Sequence, residues 1–271
     1  MTELFETGLA GEEHIPDHAR AVLIIVHGLG EHRGRYRAVT ERLNATSIAC
    51  FTYDQRGHGE SPGSRTTIGD FAEFTNDLLT VVKAISVRYP AWPMFLWGHS
   101  LGSIVVLSYV LQYPDAIRGG ITTGCPLSAL PHAVGTFSNA LSKLSALLPE
   151  IRVGSRLNSA LLSHEERVQS AYQHDPLVTH SVTLELIFEM SRTIKRLKRN
   201  AHEIQTPWLA IHGSEDEIAP PKGSRFLIDA LGSSDKKLEI VENARHEIHN
   251  EKTEQREIFL RLISDWISER A

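Results

Sequence analysis

Apolar residues gather in short unbroken runs along this chain instead of alternating with polar ones. Six runs read as strands: "AVLIIVHG" from Ala21, "SIACFTYD" from Ser47, "MFLWGHS" from Met94, "IRGGITTG" from Ile117, "PWLAIHG" from Pro207 and "KKLEIVEN" from Lys236. Continuous apolarity is the mark of a strand buried on both faces. Between the runs the period becomes helical. Residues 67–88 bring Phe71, Phe74, Leu78, Val81, Val82 and Ile85 to one face; residues 253–269 do the same for Ile258, Leu262, Ile263 and Trp266. Strands alternating with helices predict an α/β fold with a mostly parallel central sheet flanked by helices.

The alternation stops after residue 125. Residues 126–190 are rich in Leu, Ser and Ala, and Phe137, Leu141, Leu144 and Leu148 recur at helical spacing. The pattern predicts a core domain from residues 1–125 and 191–271, with a helical insertion over residues 126–190. Such an insertion would lie above the carboxyl ends of the strands, where open α/β sheets bind ligands. The plainer alternative is that these residues pack onto the main domain. A length of 271 residues suits one large domain carrying an insertion.

Composition then removes whole classes of function. Hydrophobic residues make up 41% of the chain, which argues against global disorder. The formal charge is −5, without the basic excess that nucleic-acid binding calls for. The basic run "TIKRLKRN", residues 193–200, reads as a solvated helix face. The first residues, "MTELFETGLAGEEH", lack the basic-then-apolar pattern of a signal peptide, and the longest apolar run, from Ala21 to Val26, is too short to cross a bilayer. Cys50 and Cys125 sit in or beside apolar runs and read as buried thiols, which excludes a disulfide scaffold and fits a reducing, cytoplasmic setting.

The strongest chemical motif is "WGHSLGS", Trp97 to Ser103, which contains a G-x-S-x-G. It directly follows a strand and directly precedes the helical run "IVVLSYVLQYP", the context this motif requires. A sharp strand-to-helix turn would hold the Ser100 hydroxyl up at the sheet edge, with Gly98 and Gly102 avoiding clashes. The bland alternative is a serine that merely caps the helix. A serine needs a base, and the base needs a carboxylate that orients it. In this strand–turn–helix context the chain order is Ser, acid, His. The strand "PWLAIHG" leads into Glu215, Asp216 and Glu217, among which spacing does not choose. The strand "KKLEIVEN" leads to His246, with His249 one helical turn later. A metal site would need a third ligand, and no H-E-x-x-H or similar spacing supplies one. Two backbone N–H groups would stabilise a developing oxyanion: that of Leu101, after the serine, and that of Leu29, in the loop "HGLGEHRGRY" after the first run.

At this point the chain resembles a known family. The stretches "HGLGEHRGRY", "YDQRGHGESPG", "GHSLGS", "YQHDPL", "HGSEDEIAPPKGS" and "ARHEIHNE" are similar to those of α/β-hydrolase fold enzymes, and within that fold to monoacylglycerol lipases and related lysophospholipase-like hydrolases. The resemblance spans about Ala21 to Trp266. It implies Ser100 as nucleophile, Asp216 as acid and His246 as base, with Leu29 and Leu101 at the oxyanion-hole positions. It implies that Glu31, Arg35, Tyr172 and His249 line the pocket for the glycerol portion. It implies a serine carboxylester hydrolase that splits monoacylglycerols into fatty acid and glycerol through an acyl-enzyme, with no cofactor or metal. The insertion becomes a lid over an acyl tunnel, able to rest on a lipid surface; for the run from Phe137 to Leu148, ordinary packing is the equal alternative. Ser103 stands where the family often has a second glycine, and Leu29 and Leu101 are bulky beside the oxyanion hole, which bears on acyl-chain length. "YDQRGHGES" reads as a turn ordered by Asp54 and the glycines. The alternatives are a peptidase, thioesterase or short-chain esterase on the same scaffold, or a non-catalytic receptor, which would usually have lost one of the three reactive residues.

Overall fold

In the computed structural model, residues 8–128, 151–154 and 157–271 are described. The run of Phe137, Leu141, Leu144 and Leu148 lies outside them. The six predicted strands all form: β2 (Ala21–Val26), β3 (Ile48–Tyr53), β4 (Met94–His99), β5 (Gly119–Thr123), β8 (Trp208–Gly213) and β9 (Lys236–Val241). They pair in parallel, in the order β3-β2-β4-β5-β8-β9. A further strand, β1 (Gly11–His14), closes the β3 edge antiparallel. Its sequence, GEEH, is polar, as an edge strand facing water should be, and for that reason carries no apolar signal.

Both faces of the sheet are covered, which explains the unbroken apolar runs. In β2, Val22, Ile24 and Val26 face α2 (Ala72–Arg88), α3 (Leu101–Gln112), α5 (Leu184–Asn200) and α6 (Lys222–Ala230). Ala21, Leu23 and Ile25 face α1 (Arg37–Asn44) and α7 (Thr253–Ser268). With apolar residues on both faces, a slip of one residue would not be opposed by polarity, so shape must set the register. The two glycines of β5 show how. A Cβ at Gly119 would meet the Trp266 ring at 2.4 Å, and one at Gly120 the Trp208 ring at 2.3 Å, so each glycine seats an indole on its own face of the sheet.

The helices depart from the sequence pattern in small ways. Helix α2 starts at Ala72 rather than near residue 67, because Glu73 accepts hydrogen bonds from the backbone of Gly69 and Asp70 and holds that stretch as a turn. Helix α7 buries Phe259, Ile263, Trp266 and Ile267, whereas Ile258 and Leu262 lie at the margin of the face. The basic run on α5 is solvated: Lys195, Arg196, Lys198 and Arg199 are exposed while Ile194 and Leu197 face the core.

The chain leaves the sheet after β5 and returns at β8. The described residues between them include a two-stranded antiparallel ribbon of β6 (Arg152–Gly154) and β7 (Ser181–Thr183), the helix α4 (Glu166–His174), and a small apolar cluster of Leu162, Tyr172 and Val178. Helix α5 runs unbroken through position 190. This segment is bonded to loops at the carboxyl ends of three strands. Thr179 N–H donates to Gly30 O (2.7 Å), Thr66 Oγ1 to Ser181 O (2.8 Å), and Glu247 N–H to Leu162 O (2.8 Å). Among the described residues no helix is long and apolar enough to cross a membrane.

The turn after β3 is built on Asp54, which is fully buried. Its carboxylate accepts the N–H groups of Arg33 and Glu60, each at 2.8 Å, and the Arg33 guanidinium. A side chain at Gly59 would fall on that carboxylate. The next residue, Gln55, donates its backbone N–H to His27 Nε2 (3.0 Å) and its amide to His27 O (2.8 Å). The turn therefore holds the loop after β2 from behind. Removing Asp54 would take away the one fully buried partner of the Arg33 guanidinium and leave it the more exposed Glu60 and Glu12. Asp54→Ala should lower the free energy of urea unfolding by roughly 3–5 kcal/mol; a loss below about 1 kcal/mol would mean that Glu60 and Glu12 suffice for Arg33.

Candidate active site

Strand order decides where a site can form. From β2 the chain turns to one side of the sheet, and from β3 it crosses back to β4 on the other, so the loops after β2 and β4 part and leave a crevice between them. Ser100 stands at that point. It is the residue between β4 and α3, with φ 52° and ψ −114°, a left-handed conformation that a side-chain-bearing residue adopts at a cost of about 1–3 kcal/mol. The neighbours enforce it. A Cβ at Gly98 would lie 2.3 Å from Gly102 O, and one at Gly102 would lie 2.0 Å from Val26 O. Ser100 N–H donates to Thr123 O (2.9 Å), and the buried Ser103 hydroxyl lies within hydrogen-bond reach of Gly98 O (2.8 Å) and Thr123 O (3.1 Å). Ser103 thus ties the turn to both strands.

Asp216 and His246 come from the loops after β8 and β9. Asp216 Oδ2 lies 2.7 Å from His246 Nδ1, and Oδ1 accepts the N–H groups of Ile218 (2.9 Å) and Ala219 (2.8 Å). Its neighbours point elsewhere: Glu217 is exposed, and Glu215 is half exposed and pairs with His164. The structure thus separates three adjacent carboxylates that spacing left equal. Burial alone would raise the Asp216 pKa, yet His246 and the hydrogen bonds from His212 and His246 hold it well below the usual carboxylate range. Burial likewise opposes charge on His246, but the Asp216 carboxylate outweighs it and the His246 pKa rises above 6.5.

His99 and His249 go the opposite way. His99 packs against His246 with ring centroids 4.8 Å apart, and against His249 at 4.9 Å. His99 is pushed well below 6.5 by burial and by the two neighbouring imidazoles. His249 is lowered to about 4, chiefly by burial. It is fully enclosed, stacked on Tyr36 at 4.8 Å, and both ring nitrogens lack a hydrogen-bond partner. It is not among the residues that line the cavity beside Ser100, so the structure does not set it against the alcohol side of a substrate. Among the described residues no cluster of three or more His, Cys, Asp or Glu side chains is arranged to hold a metal.

Ser100 and His246 line one cavity of about 160 Å³. Leu157, Leu162, Val182 and Ile218 give it an apolar wall; Glu31, Tyr172 and Glu247 give it a polar one. Leu29 also lines it, and Leu101 opens α3 directly after Ser100. Among the described residues neither the Leu29 nor the Leu101 backbone N–H has an acceptor, and the first N–H groups of a helix have none within it. Both donors are therefore unused beside the serine. On the polar wall, Glu31 accepts hydrogen bonds from Gly28 N–H (2.5 Å), Tyr36 O–H (2.8 Å) and Arg35 Nε (3.2 Å). Arg35 reaches Glu247 with Nη2 (2.5 and 2.7 Å) and lies 5.1 Å over the Tyr172 ring. Arg35 itself stands behind the cavity and acts on it through Glu31, Glu247 and Tyr172.

Sequence reasoning passed over Glu247, although it neighbours His246, and also His212 and His99. Nothing in their spacing marks them; each becomes visible only when separate loops converge.

The chain is similar to known proteins over most of its length. The family model described as serine aminopeptidase, S33 (Hydrolase_4) matches residues 17–253. The monoglyceride lipase of Rattus norvegicus is 32% identical over 253 residues, covering 93% of this chain and 83% of the relative. The monoacylglycerol lipase of Mycolicibacterium smegmatis is 30% identical over 252 residues, covering 92% and 88%. The crystal structure of Paleococcus ferrophilus monoacylglycerol lipase matches with a TM-score of 0.86 at 31% identity, covering 97% of this chain and 99% of that one.

The ring electrostatics can be measured directly. In an NMR titration of the imidazoles, His246 should titrate above 6.5 and His249 near 4. In Asp216→Asn the largest charge opposing burial is gone, leaving only the more modest pull of Glu247 and Glu31, so the His246 midpoint should fall below that of the wild type. A midpoint unmoved by that substitution would show that Asp216 does not set the protonation of His246.

Proposed function

The chain belongs to the serine aminopeptidase S33 family, and from that membership we propose that it is a carboxylic ester hydrolase acting on monoacylglycerols, releasing a fatty acid and glycerol through an acyl-enzyme on Ser100. The observation that carries this reading is the meeting, at one cavity, of a serine held in a left-handed turn and a histidine hydrogen-bonded to a buried carboxylate.

The chemistry follows from which atoms remain free. His246 Nδ1 is committed to Asp216, so Nε2 is the nitrogen available to take the Ser100 proton. Ser100 Oγ attacks the ester carbonyl, and the oxyanion is met by the Leu29 and Leu101 N–H groups. The tetrahedral adduct collapses, the C–O bond to glycerol breaks, and His246 gives its proton to the departing alkoxide. A water then takes the place of the alcohol, passes a proton to His246 and attacks the acyl carbonyl, which frees the fatty acid and restores Ser100. The apolar wall of Leu157, Leu162, Val182 and Ile218 suits an acyl chain. Glu31 and Tyr172 suit hydroxyl groups, with Arg35 holding both in place. Leu157, Leu162, Tyr172 and Val182, described residues of the 126–190 segment, line the cavity and support reading that segment as a cap on the core of residues 1–125 and 191–271.

The family description raises aminopeptidase as a second reading. An aminopeptidase needs a carboxylate free to receive the substrate ammonium group. The two carboxylates on this cavity wall are already engaged. Glu247 is held by Arg35 and Asn250, and Glu31 by Arg35, Tyr36 and Gly28 N–H. That favours an uncharged ester over a peptide amine.

Ser100→Ala should lower turnover of a monoacylglycerol by roughly a thousandfold or more, with the fold unchanged. The wild type should prefer monoacylglycerols over short nitrophenyl esters and over aminoacyl amides in kcat/KM. A folded Ser100→Ala enzyme of near-normal activity would refute the serine mechanism, and an aminoacyl amide as the best substrate would reverse the choice between the two readings.

A further inference from the structure

His212 lies in β8, fully buried, and no step of the reaction above uses it. It sits four residues before Asp216 and shares that residue's carboxylate with His246. Its Nε2 is 3.0 Å from Asp216 Oδ2 and 2.6 Å from Ala219 O. Neither oxygen carries a proton to donate, so the hydrogen resides on Nε2 and is shared between them. Nδ1, 2.7 Å from the buried Ser224 hydroxyl on α6, is then the acceptor of that hydroxyl's proton. A continuous buried line results, from Ser224 through His212 and Asp216 to His246, with Oδ2 gripped from the back by one imidazole and from the cavity side by another.

The torsion that turns a carboxylate plane is soft and broad, so the plane must be set by donors on both oxygens. Oδ1 is held by the N–H groups of Ile218 and Ala219, which belong to the same loop as Asp216 and move with it. Oδ2 has donors from outside that loop: His246, whose proton load changes during the reaction, and His212, whose surroundings do not. We propose that His212 is a positioning residue, holding the plane of the Asp216 carboxylate so that Oδ2 stays aimed at His246 Nδ1 through the catalytic cycle. The proposal rests on the reading of Asp216 as the acid of the reaction.

Two substitutions divide the imidazole between its ends. In His212→Gln the amide nitrogen takes the place of Nε2 and can still donate to Asp216. In His212→Asn the shorter amide stays near Ser224 and cannot reach the carboxylate. With a monoacylglycerol as substrate, His212→Asn should lower kcat roughly ten- to a hundredfold, the range of one hydrogen bond to a charged group, with KM nearly unchanged. His212→Gln should stay within about threefold of wild type in kcat. In an Asp216→Asn background, His212→Asn should cost less than about twofold further, because its effect passes through Asp216. Wild-type kcat in His212→Asn, equal losses in the two variants, or an undiminished loss in the Asp216→Asn background would overturn the proposal. A folded His212→Gln enzyme that loses tenfold or more overturns it even if the Asn variant does not fold. The underlying reading fails separately: Asp216→Asn alone would then keep wild-type kcat.

Discussion

The architecture around Ser100 depends on one close approach. The first turn of α3 packs so tightly on the end of β2 that a methyl group at position 102 would lie 2.0 Å from Val26 O. That contact locks together the carboxyl ends of β2 and β4, and the Ser100 N–H and Ser103 hydroxyl extend the lock to Thr123 at the end of β5. The loop carrying Leu29 starts one residue beyond Val26, and Leu101 follows Ser100 directly. The separation between the serine and the two free backbone donors is therefore set by packed strands. Asp216 and His246 come from longer loops, which move more readily, whereas Leu29 stands three residues beyond the end of β2. The strain at Ser100 persists because the crowding around it leaves no relaxed alternative.

Burial alone does not make a base. His27, His58, His99, His246 and His249 are all enclosed, and four of them are driven towards the neutral form by desolvation. Of these five, His246 alone is raised, because the Asp216 carboxylate hydrogen-bonded to its Nδ1 outweighs burial. The chain of rings from His246 through His99 to His249 shows the same residue type in three electrical settings within two ring contacts. The polar wall works by the same rule: Glu31 and Glu247 stay inside because Arg35 joins them.

Much of this was legible in the sequence, for reasons that can be named. The six strands were readable because burial on both faces leaves a run with no polar interruption. The serine turn was readable because Gly98 and Gly102 are demanded by sterics at a fixed spacing. What escaped depends on distance across the fold. β1 is polar and forms only because β3 offers an edge. Asp216 could not be chosen from Glu215 and Glu217 by spacing, since the choice depends on which carboxylate turns inward to His246. Glu247, beside His246, and His212, four residues before Asp216, stand in motifs already noticed, but their roles depend on partners as remote in sequence as Arg35 and Ser224. His249 matches a pocket position by motif yet lies in the core, because Tyr36 and His99 close over it.

The central claim is that Ser100 becomes acylated during turnover. Wild-type enzyme mixed with a monoacylglycerol and quenched in acid within the first turnover should gain the mass of one acyl group, and peptide mapping should locate it on Ser100. An enzyme that turns over the ester with no acyl adduct, or with the adduct on another residue, would contradict the account.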